Sequence, residues 1–401
     1  MTVKQIYELM NTVTGEVLGK TDLVAEDLSN VVDVGTEVFN ATAVDNYVKT
    51  LVNHIGKVIF VNRPYSGKIP SVLMDSWEFG SVLEKISCDT PAAEENESWD
   101  LVDGQEYKQD IFYKPTVSAK FFNSKVTFEV PMSFTEKQVK ESFSNAAQLN
   151  GFISMIYNAV DRSMTIKIDG LVMRTINSMI AQTLNADKTA FTGGYGTAST
   201  ARCVNLLKLY NDKFFPATGS TANPDALTAD KAIYDPDFIR FASYTMGVYV
   251  DRLASISTLF NVGGKDRFTD ANNLHVIMLS DFAKGADVYL QSDVRHNEMT
   301  RLPNYETVPY WQGSGQNYEF DSTSAINVKI DASTNVDIDG IVGVMFDRDA
   351  LGVSNLDRRV TTAYNAKAEF FNNYYKFDAG YFNDTNENFV VFFVSDAKTG
   401  S

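Results

Sequence analysis

The chain has 401 residues and carries 35 Lys and Arg against 51 Asp and Glu, a net charge of −16. Apolar residues make up 44% and charged residues 21%, the balance of an ordinary globular chain, and at roughly 150 residues per domain the length suits two or three domains. No run of about 18 apolar residues reaches the length of a membrane helix. MTVKQIYELMNTVTGEV lacks the basic start and apolar stretch of a secretory leader. The acidic balance argues against non-specific wrapping of nucleic acid, which needs a dense cationic surface.

Ile6, Leu9, Met10 and Val13 fall at helical spacing, so a short amphipathic helix is expected near the start, ended by Gly15 and Gly19. The rest of residues 1–35 is polar and reads as an arm lying on something else. A second helix is expected over 42–55, with Val44, Tyr47, Val48, Leu51, Val52 and Ile55 on one face. KVIFVNRPY and KIPSVLM read as strands, and TVSAKFFNSKVTFEV alternates in part with period two. Between them lies the acidic tract CDTPAAEENESWDLVDGQEYKQD, an extended excursion out along one strand and back along another. A two-stranded ribbon is marginal alone, so Trp77, Phe79, Trp99, Phe112 and Tyr113 need a partner surface, expected from another copy of the chain.

From Phe152 to Leu184 the apolar positions hold a helical period, predicting one very long helix whose local propensity is weakest around Gly170, where the chain has room to bend. No heptad marks it as a coiled coil. TAFTGGYGTASTAR and FFPATGSTANPDALTAD read as loops around a short helix at 200–210, and residues 235–262 read as helix. LHVIML is a buried strand leading into a helix from Ser280 or Asp281, and 300–325 is a loop. DIDGIVGVMFDRDALGV is strand, turn and a short apolar segment. Residues 359–394 are aromatic strands, and the turn NDTNEN predicts that its two flanking strands pair antiparallel.

Single motifs carry little chemistry. Asn335, Asp337, Asp339 and Gly340 match part of a calcium loop, but Phe346 stands where its last acid belongs, favouring a turn entering a strand. Gly193–Gly196 follows a helix and lacks GK[ST], so a helix-terminating loop is favoured over a phosphate cradle. Gly313-Ser314-Gly315 is not a nucleophile elbow. Asp347, Asp349 and Asp357 with Arg348, Arg358 and Arg359 read as ion pairs rather than as acid–base catalysts. His54, His275 and His296 are too scattered for a metal site. Cys88 and Cys203 are too few for a disulfide framework. No catalytic residue, cofactor or metal is expected.

The order of elements says more: polar arm, extended two-strand excursion, very long helix, mixed α/β block, aromatic strands. With LHVIMLSDFAKGADVYLQSDVRHNEM and GIVGVMFDRDALGVSNLDRRVTTAYNAKAEFFNNYYKFDAGYF, it resembles the major capsid proteins of tailed bacteriophages, with the Hong Kong 97-type α+β fold. It is most similar to those of short-tailed phages with small genomes. The resemblance implies an N-terminal arm at 1–35 and an extended E-loop at 60–130. It implies a peripheral domain from 36–59, 131–190 (with the spine helix) and 360–396, and an axial domain at 191–359. No internal delta domain, C-terminal immunoglobulin-like appendage or basis for a covalent cross-link is evident, although the loop holds Lys68, Lys85 and Lys108.

The implied function is the repeating, non-enzymatic subunit of an icosahedral or prolate head enclosing double-stranded DNA without sequence-specific binding. It would assemble in the host bacterial cytoplasm as hexamers and pentamers, with portal, scaffolding or decoration partners and no membrane. Trp77, Phe79 and Trp99 are expected to pack the loop on a neighbour. Asp347, Arg348, Asp357, Arg358 and Arg359 are expected to pair across subunits, and the Gly193–Gly196 and Pro303–Gly315 loops to meet near a capsomer axis. Two alternatives are an encapsulin-like nanocompartment shell and a glycan-binding or glycan-active protein, the latter suggested by the many Tyr, Asn and Asp residues.

Overall fold

A computed structural model describes residues 3–19, 24–40, 44–61, 69–74, 83–91, 93–107, 110–217, 223–291, 305–311 and 324–396. In chain order the helices are α1 (Val3–Leu18), α2 (Val31–Asn40), α3 (Val44–Val61), α4 (Glu136–Ser142), α5 (Ala146–Ala186), α6 (Leu206–Phe214), α7 (Ala229–Ala232), α8 (Pro236–Ala254) and α9 (Ser280–Gln291). The strands are β1 (Leu73–Met74), β2 (Leu83–Cys88), β3 (Val117–Phe122), β4 (Lys125–Thr135), β5 (Cys203–Asn205), β6 (Leu274–Leu279), β7 (Tyr305–Val308), β8 (Ile326–Lys329), β9 (Asn335–Ile338), β10 (Ile341–Asp347), β11 (Leu351–Asn365), β12 (Phe370–Asn383) and β13 (Phe389–Phe393). The chain divides into two compact units, and α5, β11 and β12 run from one into the other.

The first unit holds residues 1–77, 124–172 and 353–380. Its four-stranded sheet has the order β1-β11-β12-β4. Along β12, buried Phe371, Asn373, Tyr375, Phe377 and Ala379 alternate with less buried residues, the signature of a sheet covered on one face. Thr135 ends β4 and caps α4: its hydroxyl accepts from the Gln138 amide while Gln138 accepts from the Thr135 amide. In the α5 segment of this unit, Leu149, Ile153, Ile156, Val160, Met164 and Ile168 form a seam at steps of three and four. Residues 3–18, expected within an arm, fold as α1 against α3 in the same unit, burying Ile6, Leu9, Met10 and Val13. Gly15 lies inside α1. Gly19, with φ +66°, ends it by donating to the Gly15 carbonyl. Burial pushes the Tyr47 phenol up to about 12, opposed by its hydrogen bond with Thr14.

The second unit holds residues 78–123, 173–352 and 381–401. Its five-stranded sheet has the order β5-β13-β10-β6-β7. β10 lies antiparallel to both β13 and β6. All five residues of β13 are buried, as in a central strand covered on both faces. One core joins Val390 and Phe392 to Phe238, Ala242 and Met246 of α8 and Phe282 of α9. Trp311 is fully buried, and its indole donates to the Ile341 carbonyl at 2.9 Å. β8 and β9 form a separate hairpin.

The long helix has 41 residues, about 60 Å at 1.5 Å per residue, and passes Gly170 without a break. Where a Cβ would stand on Gly170 there is open space. KVIFVNRPY begins not as a strand but as the last turn of α3, because the helical period begun at Val44 outweighs its β-branched residues. Of KIPSVLM, only Leu73 and Met74 form a strand. The largest correction concerns NDTNEN. β12 and β13 do not pair: β12 lies between β11 and β4, and β13 between β5 and β10. The alternation of β12 and the wholly apolar run of β13 belong to different sheets. Residues 381–396 lie in the second unit, as does α5 from Met173 onward.

Candidate assembly interface

The acidic excursion is a ribbon. β2 and β3 pair antiparallel from Leu83 opposite Phe122 to Cys88 opposite Val117. Because side chains alternate, the ribbon has two different faces. Leu83, Lys85, Ser87, Lys120 and Phe122 point one way. Glu84, Ile86, Cys88, Val117, Ala119 and Phe121 point the other and are all exposed.

The first face is held by the turn between β12 and β13. Lys85 Nζ donates to Glu387 Oε1 at 2.7 Å and stands 3.1 Å from Asp384 Oδ2. Lys120 Nζ donates to Asp384 Oδ1 at 2.9 Å. Arg267 Nε adds a 3.2 Å bond to Glu387. Near the far end of the ribbon, Lys265 Nζ reaches both carboxylate oxygens of Asp89 at 2.7 Å. At its root, the Phe122 and Phe382 rings lie 5.1 Å apart. The Asp384 side chain is only 2% exposed. Burial pushes its carboxyl up, but the Lys120 bond, the Asn386 amide and the charges of Lys85 and Lys120 outweigh that and hold it below the ordinary value. Burial likewise pulls the Lys85 ammonium down, while Glu387 and Asp384 leave it raised overall.

Beyond β2 the chain exposes what a core would take in. Trp99 is 95% exposed, Phe112 86% and Tyr113 72%, with Leu101, Val102 and Ile111 also exposed. Ile86 at 66% and Phe121 at 61% extend this apolar surface along the outward face of the ribbon.

Trp77 and Phe79 lie outside the described residues. Asp347 closes the turn after β10, accepting from the Thr269 hydroxyl at 2.7 Å and the Asp349 amide at 2.9 Å. Arg348 is exposed on that turn, and its amide donates to the Asn273 carbonyl. Arg359 pairs within its own chain, at 2.9 Å with Asp357 and 2.7 Å with Asp378. The Arg359 bond is the main cause that holds the Asp378 carboxyl low. Arg358 is exposed and donates its amide to Asp357. Gly193 and Gly194 take positive φ in the loop after α5, which packs Tyr195 against Phe191, 5.0 Å between rings. Of Pro303–Gly315, only 305–311 is described. The residues that hold the ribbon were not singled out by pattern. Lys85 and Lys120 sit at alternating strand positions, and Asp384 and Glu387 lie in a tract that reads simply as a polar turn.

The family model described as Phi29-like phage major capsid protein matches residues 10–393. The chain belongs to that family. Its fold class is the α+β class expected from the sequence, that of the Hong Kong 97-type phage capsid. No curated protein matches the chain. Among solved structures, the capsid of Staphylococcus phage Andhra is similar at 8% identity and TM-score 0.49, over 83% of this chain and 86% of that one. The capsid of Cyanophage P-SCSP1u is similar at 9% identity and TM-score 0.46, over 83% and 90%. This capsid subunit builds the shell of a phage head by self-assembly and belongs to the virion. Family membership decides against the nanocompartment and glycan alternatives.

Proposed function

We propose that the subunit closes its shell chiefly through the ribbon, whose tip and outward face dock on a neighbouring copy. The observation that carries this reading is the exposure of Trp99, Phe112 and Tyr113 on an extension whose base is anchored by the subunit's own turn. Large aromatic side chains left in water mark a protein contact. A contact between unlike patches closes into rings by rotation, which suits hexamers and pentamers of an icosahedral or prolate head. Charge pairing to neighbours through the exposed Arg348 and Arg358 completes the contact. The net charge of −16 supports a shell that encloses DNA without gripping it. The exposed free thiol of Cys88 supports assembly in a reducing host cytoplasm. Portal, scaffolding or decoration partners are proposed on family membership alone.

The test is Trp99→Ser combined with Phe112→Ser. Buried aromatic anchors each contribute about 2 kcal/mol or more to a contact, and every copy in a shell loses them. Sedimentation and negative-stain microscopy are expected to show folded, unassembled subunits. Shells in normal yield would overturn the reading.

A further inference from the structure

Lys85 and Lys120 stand directly opposite each other in the antiparallel pair, an arrangement in which like charges repel. It is stable here because both ammonium groups converge on Asp384, and Lys85 also reaches Glu387, two acids that lie outside the ribbon. These two acids are buried and Glu387 is shared with Arg267, so the turn is a fixed anion rather than a loose surface charge. Apolar contact supports the ribbon at its root, where Phe122 meets Phe382. Further out, the ties are charges: Lys85, Lys120, then Asp89 with Lys265.

An apolar hold would be indifferent to direction. Hydrogen-bonded charges fix geometry. We propose that Asp384 and Glu387 form a latch, with Lys85 and Lys120 as positioning residues that set the direction in which the ribbon carries its tip to the neighbouring copy. The latch itself stands on the geometry of one chain. Its role in assembly rests on the reading of the tip as a shell contact.

The experiment measures hydrogen exchange of ribbon amides in the unassembled full-length subunit, together with shell yield. Asp384→Asn with Glu387→Gln is expected to lower protection at 83–88 and 117–122 at least about tenfold, with the β10 and β13 amides unchanged. Since the acid variant also disturbs the turn, Lys85→Gln with Lys120→Gln provides a second route that keeps the turn's own hydrogen bonds. It is expected to loosen the ribbon equally and to reduce shell yield. Unchanged ribbon protection in the lysine variant would overturn the latch. A loosened ribbon with normal shell yield would overturn its positioning role. Normal assembly of the Trp99/Phe112 variant would instead overturn the tip contact, leaving the exchange result intact.

Discussion

Two sheets of the second unit are built from similar residues and used in opposite ways. The five-stranded sheet takes Val390, Val391, Phe392 and Phe393 wholly out of water, with Trp311 bonded to Ile341, the first residue of β10. The β2–β3 ribbon leaves Ile86 and Phe121 in water and carries Trp99 on its tip. Aromatic content therefore does not separate core from interface; the number of covered faces does. A strand with partners on both edges and packing on both faces becomes core. A two-stranded ribbon with one charged face held down and one apolar face free becomes a surface for another molecule.

The largest effects that sharpen this contrast lie in the five-stranded sheet. Phe392→Ala is expected to cost about 3–5 kcal/mol, seen in thermal or urea unfolding of the unassembled subunit. Gly340→Ala is expected to be comparably damaging, because a Cβ there would strike the Val394 carbonyl and the backbone has φ +75°. Phe121→Ala on the ribbon is expected to stay within about 0.5 kcal/mol of wild type in the same assay. A loss of several kcal/mol at Phe121 would show that the outward face is already covered within one chain.

Next in size is the change on assembly. Iodide is expected to quench Trp99 in free subunits and to leave Trp311 untouched in both states. Comparing Trp99→Phe with wild type isolates its signal. Protection of Trp99 on shell formation is the expected outcome, and equal quenching before and after would break the contrast at its tip.

The same contrast explains what the sequence reveals. The helical period from Phe152 to Leu184 and the buried strand LHVIML are local patterns, and both elements form nearly where they are read. The two faces of β12 and the unbroken apolar run of β13 are also visible, but their pairing is not. Neighbouring strands joined by a polar turn look like a hairpin, and only the demand of β13 for cover on both faces separates them. The aromatic tip is legible because those residues lack local partners. The latch is not, because Lys85 and Asp384 are brought together across some 300 positions and each looks like an ordinary surface charge.

A smaller effect follows from the latch's titration. The Asp384 carboxyl is held below 3.8 in the folded chain, so its contribution is complete above that value and is lost as pH falls through the lowered one. The Lys85 ammonium is raised above 10.5, so its contribution is complete below 10.5 and is lost as pH rises through the raised value. Ribbon exchange protection, corrected for intrinsic rates, is therefore expected to be flat across neutral pH and to fall at both extremes. The lysine-to-glutamine variant removes the alkaline limb. A steep change near pH 7 would assign the hold to some other group.

The smallest effect belongs to the five-stranded sheet and shows that even a covered sheet keeps one polar weakness. His275 on β6 stacks on Phe346 with rings 5.7 Å apart, and its buried Nε2 has no hydrogen-bond partner among the described residues. Burial, aided by the Arg348 charge and opposed by Asp347, holds the imidazole below its ordinary 6.5. The unfolded chain therefore takes up this proton first as pH falls, and stability drops from about 6.5 downward. His275→Phe keeps the ring stack and removes the titration. Between pH 5 and 6.5, above the range of ordinary carboxylates, the variant is expected to lose the wild-type slope in urea midpoint against pH, a change well below the cost of Phe392→Ala. An identical slope in both proteins would mean that water reaches the imidazole and that β6 is wetter than the strands beside it.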